Sequence, residues 1–180
     1  MNTVENGWIC WLAGILDGEG TVSIGRSTGR AKEGYRFDTH HRSLVQVAGT
    51  DVRLIDRASD VIESITGRRP RRHPVKRCKA TQKLGWAIQV TTSWEVNLLL
   101  PAVLPWLVIK HEQADIVLSF SKRHTRSGYK GARSQETFDL DELDYARCRI
   151  LNRRGNHGGP DIDEMERMVA SASAVPNKEE

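Results

Sequence analysis

Two acids stand at the end of an apolar run. Residues 8–17, Trp-Ile-Cys-Trp-Leu-Ala-Gly-Ile-Leu-Asp, are almost wholly apolar, and Asp17 is followed by Gly18, Glu19 and Gly20. The Glu19 carboxylate and the Gly18 carbonyl are hard oxygen donors of the kind that hold magnesium. Taken alone, Asp-Gly-Glu-Gly is also ordinary turn chemistry, so the pair does not by itself name a reaction. Other routes are weaker. His40 and His41 are sequence neighbours, which on a strand sends them to opposite faces and makes them poor joint metal ligands. No Ser-His-Asp or Cys-His spacing suggests a nucleophilic triad. The three cysteines, Cys10, Cys78 and Cys148, lie far apart and form no CxxC pair. That argues against a disulfide framework or a structural zinc site, and for a reducing, cytoplasmic setting.

A second set of residues suits phosphates. Between positions 68 and 83 stand eight basic residues and no acid: Arg68, Arg69, Arg71, Arg72, Lys76, Arg77, Lys79 and Lys83. Phosphate contacts give affinity and register, while base edges give sequence choice. His40, Arg42, Gln46 and Gln89 are able to read major-groove edges, and Ser23 and Arg26 join them as candidate DNA contacts. The basic run alone would suit RNA equally well.

The elements that must position these groups follow from periodicity. The apolar run from 8 to 17 reads as a buried helix with Asn6 as N-cap, closed by Gly18 and Gly20. Val22 and Ile24 alternate with polar neighbours as in a half-buried strand. Residues 26–34 read as a turn or loop, and a second strand spans about 35–48, with Val45 and Val47 on one face and His40, Arg42 and Gln46 on the other. Asp51 is an N-cap for a helix that Gly67 closes. A strand at about 84–92 follows, then a helix capped by Ser93 and shortened by Pro101, then a helix at about 107–122. Asp139 with Glu142 suggests a capping box for a helix ending near Gly155. A short acidic helix near 161–170 and a flexible tail complete the chain.

The order αββαββα-α implies an α+β layer, an antiparallel sheet with helices on one side and its other face free for a ligand. With 180 residues, 38% hydrophobic and 28% charged, the chain is expected to form one soluble domain over 1–155, with 156–180 as an appended helix and tail. No apolar run approaches the roughly 20 residues needed to cross a membrane. The net charge of +4 is a mild excess that matters only through its clustering.

Leu12-Ala13-Gly14-Ile15-Leu16-Asp17-Gly18-Glu19-Gly20 resembles the signature of the LAGLIDADG endonucleases. The resemblance extends to Gln46, Val47 and Arg53, to Pro105 through Ala114, and to Leu151 through Gly155. It implies metal-dependent hydrolysis of phosphodiesters in double-stranded DNA, with Glu19 and Gly18 on magnesium or manganese. Arg53 and Lys110 then match basic residues of the family's catalytic pocket, which stabilise developing charge. Gly49 departs from the pattern, because many relatives carry a polar side chain there that places a metal-bound water. A non-cleaving binder of the same fold, an RNA maturase or a transcription regulator, is the alternative.

One motif copy gives half of a paired site, so the resemblance implies a homodimer on a near-palindromic target. A helix apolar on nearly all sides also asks for cover beyond its own domain. Trp8, Leu12, Ala13, Gly14 and Asp17 are the expected interface, with Ala13 and Gly14 small enough for close approach.

Overall fold

The computed structural model describes residues 3–28, 39–75, 83–124 and 134–152, with positions 167, 170 and 171 besides. In chain order these form α1 (Thr3–Gly18), β1 (Gly20–Thr28), β2 (Thr39–Gly49), α2 (Val52–Thr66), β3 (Arg72–Val75) and β4 (Gly85–Val90). Then come α3 (Ser93–Val103), a 3-10 turn (Leu104–Trp106), α4 (His111–Arg123) and α5 (Gln135–Leu151). The strands make one antiparallel sheet in the order β1-β2-β4-β3. This is the expected α+β architecture.

Strand alternation divides the sheet into two faces. Val22, Val45 and Val90 form one cross-strand row and Val47 pairs with Ile88, all buried. Against this face pack Leu12 and Leu16 of α1, Ile55 and Ile62 of α2, Leu99 and Leu100 of α3, and Val117 and Phe120 of α4. Thr21, Ser23, Leu44, Gln46 and Gln89 point the other way and are only half-buried, so the helices and the main core lie on one side.

Local signals fix several boundaries. The Asp51 side chain accepts from the Arg53 backbone N–H at 2.9 Å and starts α2. Gly67 ends it at φ 73°, a left-handed geometry that favours glycine.

Other boundaries differ from the sequence reading. α1 begins at Thr3, leaving Asn6 inside the helix. β1 runs on to Thr28, because pairing from Gly20↔Val47 to Thr28↔Thr39 carries the ladder past the expected turn at 26. The N-cap of α3 is Thr92, one residue before Ser93. α3 continues two residues past Pro101 into the 3-10 turn. α4 starts at His111, not 107. α5 is capped by Ser134, whose hydroxyl accepts from the Thr137 N–H at 3.1 Å, so Asp139 lies inside the helix. It ends at Leu151 with Asn152 as C-cap, and residues 153–155 lie outside the described residues, as does most of the expected helix near 161–170.

Cys10 and Cys148 are free thiols, while Cys78 lies outside the described residues. Burial, with the charge of Asp144, pushes the Cys148 thiol up to about 12, which makes it unreactive. No helix among the described residues is long and apolar enough to cross a membrane.

Candidate active site

The site is built around the end of α1. Glu19 donates its backbone N–H to Ile15 O at 2.8 Å, the last helical bond, and the chain turns at once into β1. The turn is so tight that a Cβ on Gly20 would lie 2.7 Å from Leu16 Cα and 2.8 Å from Leu16 O. Only glycine fits there.

Asp17 faces inward. Its carboxylate accepts backbone N–H bonds from Val108 at 2.7 Å, Ile109 at 3.2 Å and Lys110 at 2.9 Å. Burial raises its pKa, but the N–H groups of Val108, Lys110 and Ile109, with the Lys110 charge, outweigh it and hold the group below the ordinary carboxylate value. The Lys110 ammonium is buried and donates to Leu16 O at 2.5 Å and Asp17 O at 2.7 Å. An acid at a helix C-terminus opposes the helix dipole, and a cation there favours it. Asp17 and Lys110 therefore form a clamp that seals the last carbonyls of α1 onto the segment before α4.

Glu19, by contrast, is exposed. Gly20 pairs with Val47 on the core side of the sheet. Alternation then sends Thr21 to the opposite, open face, and Glu19 immediately precedes β1 at that end of the sheet. Along that face run the cross-strand pairs Thr21–Gln46, Ser23–Leu44, Gly25–Arg42 and Ser27–His40. Gln89 extends the first row on β4. Gly25 leaves room for Arg42, whose Cγ and Nε would sit 3.4 Å from a Cβ there.

Gly49 ends β2, two residues past Val47. A Cβ on it would meet nothing nearer than 3.9 Å, so neither space nor φ demands glycine. Arg53 is exposed, with Nε and Nη2 bound to the Asp51 carboxylate at 3.2 and 2.8 Å. The Asp51 carboxyl is held at about 2 by the Arg53 side chain and by its backbone N–H.

No family model matches the chain, and no curated protein matches it. Solved structures do. The homing endonuclease I-CvuI, in complex with its target and calcium, superposes with a TM-score of 0.66 at 16% identity, covering 97% of this chain and 100% of that one. The archaeal intron-encoded homing endonuclease I-Vdi141I, complexed with DNA, gives 0.64 at 12% identity over 94% and 98% of the two chains. The I-SmaMI LAGLIDADG homing endonuclease, bound to cleaved DNA, gives 0.59 at 12% identity, and this chain spans half of it. The fold is that of the LAGLIDADG homing endonucleases.

On the LAGLIDADG fold the motif helix α1 divides its residues between two duties. Leu12 and Ala13 are fully buried in the chain's own core and Asp17 is held in the clamp, so the first two have no surface left to offer a partner and Asp17 almost none. The outward side of α1 carries Gly7, Gly14 and Gly18, spaced seven and four apart and so on one stripe. A Cβ at any of the three would meet nothing within 4 Å. Trp8 flanks this stripe, exposed, with the Arg57 guanidinium 4.4 Å from its ring centroid. Of the five expected interface residues, Trp8 and Gly14 face outward.

Three members of the basic run meet acids in space. Arg69 pairs with Asp60 at 2.6 Å and Glu63 at 3.0 Å, and Arg72 pairs with Asp56 at 2.9 Å, all acids of α2. Arg68 reaches Glu95 at 3.8 Å. Arg72 also lies over Trp86 at 4.9 Å, because its register with Ile88 turns it to the helical side of the sheet. Arg71 is exposed, and by alternation it shares the open face with His73 and Val75. Lys76, Arg77 and Lys79 lie outside the described residues.

Arg26 is likewise turned from the open face. It pairs with Glu142 of α5 at 3.3 Å and lies 5.7 Å from the Tyr145 ring centroid. The structure thus gathers Ser23, His40, Arg42, Gln46 and Gln89 on one face, with the exposed Glu19 and Arg71 just before β1 and β3, and sets Arg26, Arg69, Arg72 and Lys110 elsewhere. Sequence reasoning missed the tie between Asp17 and residues 108–110. The unfavourable acid at the helix end was its only signal.

Proposed function

We propose that the chain is a LAGLIDADG homing endonuclease, a homodimer that hydrolyses phosphodiesters in double-stranded DNA with a divalent metal, magnesium or manganese. One observation carries the reading: the exposed Glu19 stands where α1 ends and β1 begins, at one end of an open sheet face that carries polar side chains able to read bases, beside the glycine stripe of α1. I-CvuI and I-Vdi141I, which share the fold, are DNA complexes. The endonuclease domain at 1–155 and a cytoplasmic setting belong to this reading.

The donor set fits magnesium. Glu19 and the Gly18 carbonyl supply hard oxygens at a helix end open to solvent. Among the described residues no group of three or more His, Cys, Asp or Glu could hold a metal without help. Magnesium is commonly held by one or two carboxylates, with waters and substrate phosphates filling the rest. A second copy and the DNA would supply what one chain lacks. When bound, such an ion activates water and neutralises the phosphate.

The chain's own groups hold that geometry. Glu19 presents its carboxylate, and the Asp17–Lys110 clamp fixes the backbone from Leu16 to Gly18 that carries it. Arg53 is in a solvent-screened surface ion pair with Asp51, which is weak and readily exchanged for a phosphate. Thr21, Gln46, Arg42 and His40 run along the open face from the same end. In a two-fold dimer the Gly7–Gly14–Gly18 stripes of two α1 helices would pack together and set two Glu19 residues side by side.

The non-cleaving reading draws support from Gly49, which has room for a polar side chain and lacks one, and from Lys110, whose ammonium is engaged at the helix end. A supercoiled plasmid carrying the two DNA flanks of the gene, joined, separates the readings. Cleavage is expected in magnesium and not in EDTA, from a species that sediments as a dimer. Stable binding in magnesium without nicking would establish the non-cleaving binder instead.

A further inference from the structure

The open face holds one polar pair whose geometry is set before any ligand arrives. Gln46 on β2 and Gln89 on β4 are direct cross-strand partners, and Gln89 Nε2 donates to Gln46 Oε1 at 2.6 Å. That bond uses the Gln46 acceptor and one Gln89 donor. The amide donors of Gln46, the second Gln89 N–H and the Oε1 acceptor of Gln89 remain. Rotating both amides reverses the bond, yet one glutamine still keeps donors and the other an acceptor. Both side chains are half-buried, and their open-face neighbours Leu44, Ala48 and Ala87 are apolar; Thr21 flanks Gln46 on β1, and Arg71 just precedes β3 beyond Gln89.

We propose that the Gln46–Gln89 pair is a fixed reader of adenine in the major groove, an inference that rests on the DNA-binding reading above. Adenine presents N7 as acceptor and N6 as donor side by side, the complement of one amide donor and one amide acceptor. Guanine presents N7 and O6, two acceptors. Guanine would instead set its O6 against Gln89 Oε1, acceptor on acceptor, where adenine N6 would donate. Unlinked glutamines could rotate freely to present donors alone, whereas the 2.6 Å bond favours the donor-and-acceptor arrangement that matches adenine. Two residues along a strand span about 7 Å, and Thr21 of the Gln46 row lies two residues from Glu19. Base pairs rise about 3.4 Å each, so the adenine lies about two steps along the groove from the Glu19 end.

Selection of duplexes bound from a randomised pool tests this, with the full-length protein in EDTA so that binding alone is scored. The wild-type protein is expected to enrich adenine at one position in each half-site. On the selected site, changing that adenine to guanine should weaken wild-type binding by about ten- to a hundredfold. In Gln89→Ala the same change should cost less than about threefold, since Gln46 is then free to rotate, with preferences elsewhere unchanged. Gln89→Thr, a good strand former, serves where the alanine variant does not fold. Equal losses in wild type and variant, or a selected site without such an adenine, overturn the proposal and leave DNA recognition standing. Enrichment of no sequence by the wild-type protein overturns both.

Discussion

Replacing Lys110 with methionine separates a structural clamp from a catalytic cation. The Lys110 ammonium donates to Leu16 O and Asp17 O at 2.5 and 2.7 Å, and these carbonyls belong to the last turn of α1, where no helical N–H follows to pair them. Methionine keeps most of the volume, so no large cavity opens. Each charge-assisted bond is worth about 1.5–3 kcal/mol, and breaking a buried charged contact costs about 3–5 kcal/mol in all. Set against a total stability of about 5–15 kcal/mol, that is a large fraction. At about 2–4 °C per kcal/mol for a chain of this size, the melting temperature should fall by about 6–20 °C. Thermal unfolding followed by circular dichroism reads this directly. A melting point within about 2 °C of wild type, with cleavage lost, would refute the clamp and return Lys110 to the chemistry.

Gly20→Ala should fold poorly or lose several kcal/mol, because its Cβ would press on the Leu16 backbone at 2.7 Å; wild-type yield and stability would contradict the geometry. Asp51 should titrate at about pH 2, so its stabilising contribution, present above the ordinary value of 3.8, is lost as the pH falls towards 2. In Arg53→Ala the carboxyl NMR titration of Asp51 should move back up towards that ordinary value, and an unmoved curve would refute the pairing. Arg71→Ala should flatten the salt dependence of DNA binding by about one unit of slope, while Arg69→Ala, whose charge is met by Asp60 and Glu63, should change it less; the reverse order would place DNA on the helical side.

Much of the fold was legible because local signals and burial agreed. Asp51 and Gly67 bracket α2 by capping chemistry that depends on neighbouring residues alone. Val45, Val47 and Gln46 declared their faces by alternation. Signals failed where distant partners decide. The end of β1 is set by pairing with β2, so Arg26, read as a loop residue, became a strand residue facing Glu142 and Tyr145. The run at 68–83 holds no acid of its own, but α2 brings Asp56, Asp60 and Glu63 to Arg69 and Arg72. Leu12 and Ala13 gave no sign in an all-apolar helix of which side meets the chain's own core. At the site itself, Glu19 and Gly20 stood out as motif residues, whereas the Asp17–Lys110 clamp joins residues 93 apart and could not be read from spacing.

The central claim is a site shared by two copies, each supplying one Glu19 to one DNA strand. Mixed dimers of wild-type and Glu19→Gln chains, separated by a tag on one of them, test it on a supercoiled target plasmid in magnesium. Wild-type dimers should give linear DNA, Glu19→Gln dimers should bind within about tenfold of wild type and leave the plasmid supercoiled, and the mixed dimer should stop at nicked circles. Linear product from the mixed dimer, or cleavage by the Glu19→Gln dimer, would contradict the account.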